Sequence, residues 1–155
     1  MKRTIQVGVL SFLLSISAGW ADEPSCVREL ERDFFNPVFV SQALSLHDVS
    51  QSAWAEVNRV LKQQIGAIPG RVRDRAARMN PNPFDIPFQE HDAKQVLESV
   101  LYDVLAETLK QFNITDPTEV REMFNYIREQ QADKFVRCFG KDEDVKGATG
   151  TKPTR

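Results

Sequence analysis

The chain has 155 residues, 41% of them apolar and 27% charged, and its 20 basic and 22 acidic side chains leave a formal net charge of −2. That length suits one domain with a real core and leaves no room for a second. So mild an acidity argues against general nucleic-acid binding, which calls for a basic patch or stripe.

The first 21 residues have the layout of a secretory signal peptide: a basic start at Lys2 and Arg3, an apolar run from Val7 to Ile16, and small residues around Trp20 before a cut ahead of Asp22. The apolar run is too short to cross a bilayer, which takes about 20 residues, and no later segment is long enough. Cys26 lies too far downstream of the cut to carry a lipid anchor. The expected organisation is therefore a leader over 1–21, one helical domain over 22–140 and a disordered polar tail over 141–155. Export would place the mature chain in the periplasm of a Gram-negative cell, or outside the cell otherwise. Losing Lys2 and Arg3 from the 20 basic residues leaves 18 against 22 acids, a net charge of about −4.

Every long segment after the leader has helical periodicity, and none alternates as a strand does. Ser25 caps a short helix on which Cys26, Leu30 and Phe34 share one face. Asn36-Pro37 then ends one element and starts another, with Asn36 as N-cap and Pro37 at the first helical position. Phe39, Val40, Ala43, Leu44 and Leu46 are the expected buried side of this helix, which stops near His47. Val49 and Trp54 have the spacing of a hydrophobic staple around Ser50. The helix they introduce carries Trp54, Val57, Val60, Leu61 and Ile65 and ends at Gly66.

A short helix follows from about Pro69 to Met79, its buried edge at Val72, Ala76 and Met79. Asn80-Pro81-Asn82-Pro83 stops it. Phe84-Asp85-Ile86-Pro87-Phe88 then reads as an extended, proline-rich strap laid on the body. The broadest apolar stripe runs from about Glu90 to Phe112, through Val96, Leu97, Val100, Leu101, Val104, Leu105 and Leu109, and belongs at the centre of a bundle. Asn113 ends it. Asp116-Pro117-Thr118-Glu119 begins the last helix as a capping box, its inner face holds Val120, Met123, Phe124, Ile127, Phe135, Cys138 and Phe139, and Gly140 closes it. The predicted fold is all-α, a compact bundle of about five or six helices.

Cys26 and Cys138 are the only cysteines. In an oxidising compartment an even pair reads as one disulfide, joining the first helix to the last. A loop of that length is worth roughly 4 to 5 kcal/mol in chain-entropy terms, less any strain. Neither cysteine sits in a Cys-x-x-Cys, so a redox-catalytic role has little support.

Two surfaces stand out as possible contact sites. Arg71, Arg75 and Arg78 fall on one stripe of a short helix and could grip phosphates, carboxylates or an acidic partner through forked hydrogen bonds. The plainer reading is a charged helix face whose arginines pair with Asp74 or with the acids Glu98, Asp103 and Glu107 of the central helix. Phe84 and Phe88 of the strap, with Ile86, could add an apolar half to the same interface.

Chemistry is sparsely represented. His47-Asp48 and His91-Asp92 contain the only histidines, too few for the His and Asp clusters of metal-dependent phosphohydrolases. No serine sits in a Gly-x-Ser-x-Gly turn, and no glycine-rich phosphate loop or EF-hand is present. The leading expectation is a small exported helical protein that binds another macromolecule, a protein or other envelope component, through Arg71, Arg75, Arg78, Phe84 and Phe88, with no cofactor and no metal. The alternatives are a periplasmic chaperone or toxin-neutralising, immunity-type protein, and a metal-dependent hydrolase using His47 and His91.

Overall fold

A computed structural model describes residues 25–79 and 90–140, with the backbone alone over 90–92. The leader at 1–21, the strap with Phe84 and Phe88, the His91 side chain and the tail at 141–155 lie outside the described residues. Within them the chain is all-α, with no strand: α1 (Ser25–Asp33), α2 (Pro37–Leu46), α3 (Gln51–Gln64), a 3₁₀ turn (Ile65–Ala67), α4 (Ile68–Met79), α5 (Glu90–Lys110), α6 (Pro117–Gln130) and α7 (Ala132–Phe139). No helix among the described residues is long and apolar enough to cross a membrane.

The helix ends follow local chemistry. Asn36 accepts a hydrogen bond from the Val38 amide at 2.9 Å, and Asp116 accepts one from the Thr118 amide at 2.8 Å, each with proline at the start of its helix. These side chains satisfy amides that the first turn of a helix leaves without partners. At the far end of α2 the Val49 amide donates to the Leu44 carbonyl and Asp48 takes φ 58°; at the far end of α5 the Ile114 amide donates to Leu109 and Asn113 takes φ 62°. Both are left-handed closures of the Schellman type, with short polar side chains standing where glycine is usual. Gly140 ends α7 at φ 78°. The predicted staple is present, and the Trp54 indole also donates to the Val49 carbonyl at 2.8 Å.

Helix α5 is the hub. Val96, Leu97, Val100, Leu101, Val104, Leu105 and Leu109 are all buried, and α3, α4, α6 and α7 pack around them. Burying a side chain of this size removes about 1.5–3 kcal/mol worth of apolar surface from water, so α5 dominates the core. Helices α4 and α6 run antiparallel to it on two sides, fixed in register by Arg75–Asp103 and Arg128–Glu98 contacts of 2.6 Å. Phe34 sits under α6 and α7, its ring 5.5 Å from Phe124 and 6.1 Å from Phe135.

The single last helix expected from Pro117 to Phe139 is two, α6 and α7, broken at Gln131. The reason lies at the end of α1. Gln131 is buried, and its side-chain amide donates to the carbonyls of Asp33 at 2.9 Å and Phe34 at 3.4 Å. Those carbonyls close the last turn of α1 and would otherwise be buried without donors. The break turns α7 antiparallel onto α1, where Cys26 and Cys138 form the predicted disulfide, with Cα atoms 5.6 Å apart. Lys134 approaches Asp33 at 3.4 Å and Arg137 approaches Glu29 at 3.6 Å along the same seam. Two other expectations differ in detail. Leu46 is 65% exposed and Met79 53% exposed. At 100° per residue Leu46 lies about 110° from the centre of the Val40–Ala43–Leu44 face, and Met79 is the last residue of α4.

Replacing both cysteines with serine is expected to lower stability by about 3–5 kcal/mol, read from the urea midpoint of oxidised wild type against the double variant. The seam also carries a pH dependence. The Arg32 guanidinium, through two hydrogen bonds, holds the Asp33 carboxyl down at about 2 against the upward push of partial burial, and Lys134 acts in the same direction as Arg32. A carboxyl lowered on folding stabilises above its ordinary value of 3.8 and loses that contribution as pH falls through about 2. Acid titration followed by circular dichroism should therefore show a shallower loss of stability below pH 3.8 for Asp33→Asn than for wild type.

Candidate functional site

The arginine stripe of α4 faces α5, and two of its members are engaged there. The Arg71 guanidinium donates to Glu107 at 2.6 Å; that of Arg75 donates to Asp103 at 2.6 Å and to the Ser99 hydroxyl. Glu98 turns the other way and receives Arg128 of α6 at 2.6 Å. Arg71 and Arg75 are about one-third exposed, whereas Arg73 and Arg78 point to solvent. Val72 and Ala76 beneath them are buried as predicted. On the other flank of α5, Arg121 lies over the Tyr102 ring at 4.2 Å. The polar cleft of about 340 Å³ between α5 and α6 is thus furnished by the protein's own ion pairs and this stacked guanidinium.

His47 caps the end of α2 and sits 3.5 Å from Glu122 of α6, with 16% of its side chain exposed. Among the described residues, no group of three or more His, Cys, Asp or Glu side chains is placed to hold a metal ion.

A different surface is more open and more apolar. Helix α2, from Pro37 to Leu46, has no charged residue at all. Val40, Ala43 and Leu44 face the core, and the opposite side presents Val38, Ser41, Gln42, Ser45 and Leu46. Val38 is 59% exposed and Leu46 65%, two turns apart on the same uncharged face. With Trp54 at the start of α3 and Tyr126 of α6 they line a groove of about 680 Å³. A small polar network fixes the walls: the Tyr126 hydroxyl donates to the Gln42 side-chain oxygen Oε1 at 2.9 Å, and the Asn58 side-chain amide donates to the Ser41 hydroxyl at 3.1 Å. The groove is therefore apolar at its two ends and hydroxyl- and amide-lined at its middle.

Of these groove residues, sequence reasoning singled out Trp54 as the staple residue and put Leu46 on the buried side. The signal that could have found the rest is the absence of charge over ten residues of a surface helix in a chain that is 27% charged. Comparison with known proteins gives no match: no family model, no curated protein and no solved structure is similar to this chain.

The different settings of the arginines give a direct test. Arg75→Ala should cost about 1 kcal/mol in thermal or urea unfolding, because it strips Asp103 and Ser99 of their partner. Arg78→Ala should stay within about 0.5 kcal/mol of wild type, as expected of an exposed substitution.

Proposed function

We propose that this is an exported helical protein that binds another protein through the α2–α3–α6 groove. The observation that carries this reading is the pair Val38 and Leu46, exposed on an uncharged helix beside Trp54 and Tyr126. Exposed aliphatic groups in a groove have surface to withdraw from water on docking, and aromatic flanks carrying a hydroxyl are a composition favoured at protein interfaces. The groove has the length of a two-turn helix contact, and its lining holds no charge. Its best-fitting ligand is an uncharged apolar helix laid along α2, the mode in which anchors recur every three or four residues.

Export is supported by the leader-like first 21 residues together with the Cys26–Cys138 bond, which persists in an oxidising compartment. The surface expected on α4 is the second reading. Arg73, Arg78 and Met79 are exposed there and offer cationic and apolar contact to an acidic partner. Arg71 and Arg75 would have to give up Glu107 and Asp103 to take part, which weakens this reading.

Site-specific photocross-linking in the native host separates the two surfaces. A cross-linker at Leu46 is expected to give one discrete protein adduct that disappears when Val38→Asp is added, and a cross-linker at Arg78 is expected to give none. Adducts from Arg78 alone would move the binding surface to α4.

A further inference from the structure

We propose that the occupant of the α2 groove is a second copy of this chain, docked antiparallel on α2 about a twofold axis at Gln42. The inference rests on the groove being a docking face and names what docks there. It begins from charge. Among the described helices α2 alone lacks a charged side chain, and no residue lining the groove is charged. The complement of an uncharged apolar strip is another such strip, and the chain itself displays one. Elsewhere the two copies would meet across a surface rich in charge and of the same net sign, about −4 each once Lys2 and Arg3 leave with the leader. Along α2 there is nothing to repel.

The pattern is also self-complementary, as a twofold interface requires. Val38 and Leu46 each lie four residues from Gln42, about 6 Å along the helix axis and about 40° to either side of it. Antiparallel pairing at Gln42 therefore brings Val38 of one copy level with Leu46 of the other, twice. At the axis the two uncharged Gln42 side chains face each other, and the short Ser45 beside Val38 leaves room for the backbones to approach. Trp54 and Tyr126 flank the strip and complete the contact on either side. Because the same patch is used on both chains, the assembly closes at two and does not propagate.

A contact of one ten-residue helix with two aromatic flanks belongs with the small, transient interfaces below roughly 800 Å² per partner, so the expected dimer is a weak one. Sedimentation velocity of the purified protein from about 1 to 200 µM should show a monomer–dimer equilibrium over that range. Val38→Lys and Leu46→Glu, both at exposed positions, should each weaken association at least tenfold, since each places an unpaired charge in an apolar contact. The double variant sets Lys at 38 against Glu at 46 of the second copy, and should associate at least about threefold more tightly than either single variant. A protein that stays monomeric throughout overturns the proposal. So does a dimer indifferent to both single changes, or a double variant no tighter than the singles. If the purified protein is monomeric while Leu46 still cross-links to a different protein in the host, the second copy is ruled out and the groove stands as a docking face.

Discussion

The covering of α5 is the constraint around which this fold is arranged. Its apolar stripe is too wide for one neighbour to hide, so α3, α4, α6 and α7 are drawn round it, and Leu97, Leu101 and Leu109 retain no contact with water. The polar remainder of α5 is used to lock those neighbours in register. Asp103 and Glu107 face α4, Glu98 faces α6, and each receives an arginine at 2.6 Å. Burial supplies the free energy, while the ion pairs at the edges choose among ways of sliding one helix along another.

This division of labour bears on where a partner can dock. The arginines that make α4 conspicuous are in good part committed to the protein's own acids. Helix α2 contributes only one side to the core, and its other side carries no charge to keep it in water. The most exposed aliphatic side chains of the described surface, Val38 and Leu46, therefore lie on α2, where the sequence is least colourful.

Much of the architecture was legible in the residues, because it was written in short-range chemistry. Asn36-Pro37, Asp116-Pro117, Asn113 and Gly140 mark helix ends through their own side chains or backbone preferences, and each does so in the folded chain. The cysteine pairing followed from there being only two. What could not be read were choices made by distant contacts. Gln131 breaks the last helix to serve carbonyls at Asp33 and Phe34, nearly a hundred residues earlier, and nothing in its immediate sequence announces that duty. Leu46 looked buried because periodicity counts apolar residues without knowing how far round the helix the core extends. The groove escaped notice for a related reason: Ser41, Gln42, Ser45 and Tyr126 are unremarkable singly and meet only through the α2–α6 packing.

The seam between α1 and α7 has a consequence for the order of assembly. In the chain α1 comes first of these helices and α7 last, and the bonded cysteines are 112 positions apart. Helices of nine and eight residues are too short to persist alone in water, so α1 must wait for its mate. The neighbouring antiparallel pair α5–α6, joined by a brief connection, closes only a short loop and can settle without waiting for α1 or α7. Contact order thus favours pairing from the middle outward, with the meeting of α1 and α7 as the most distant closure.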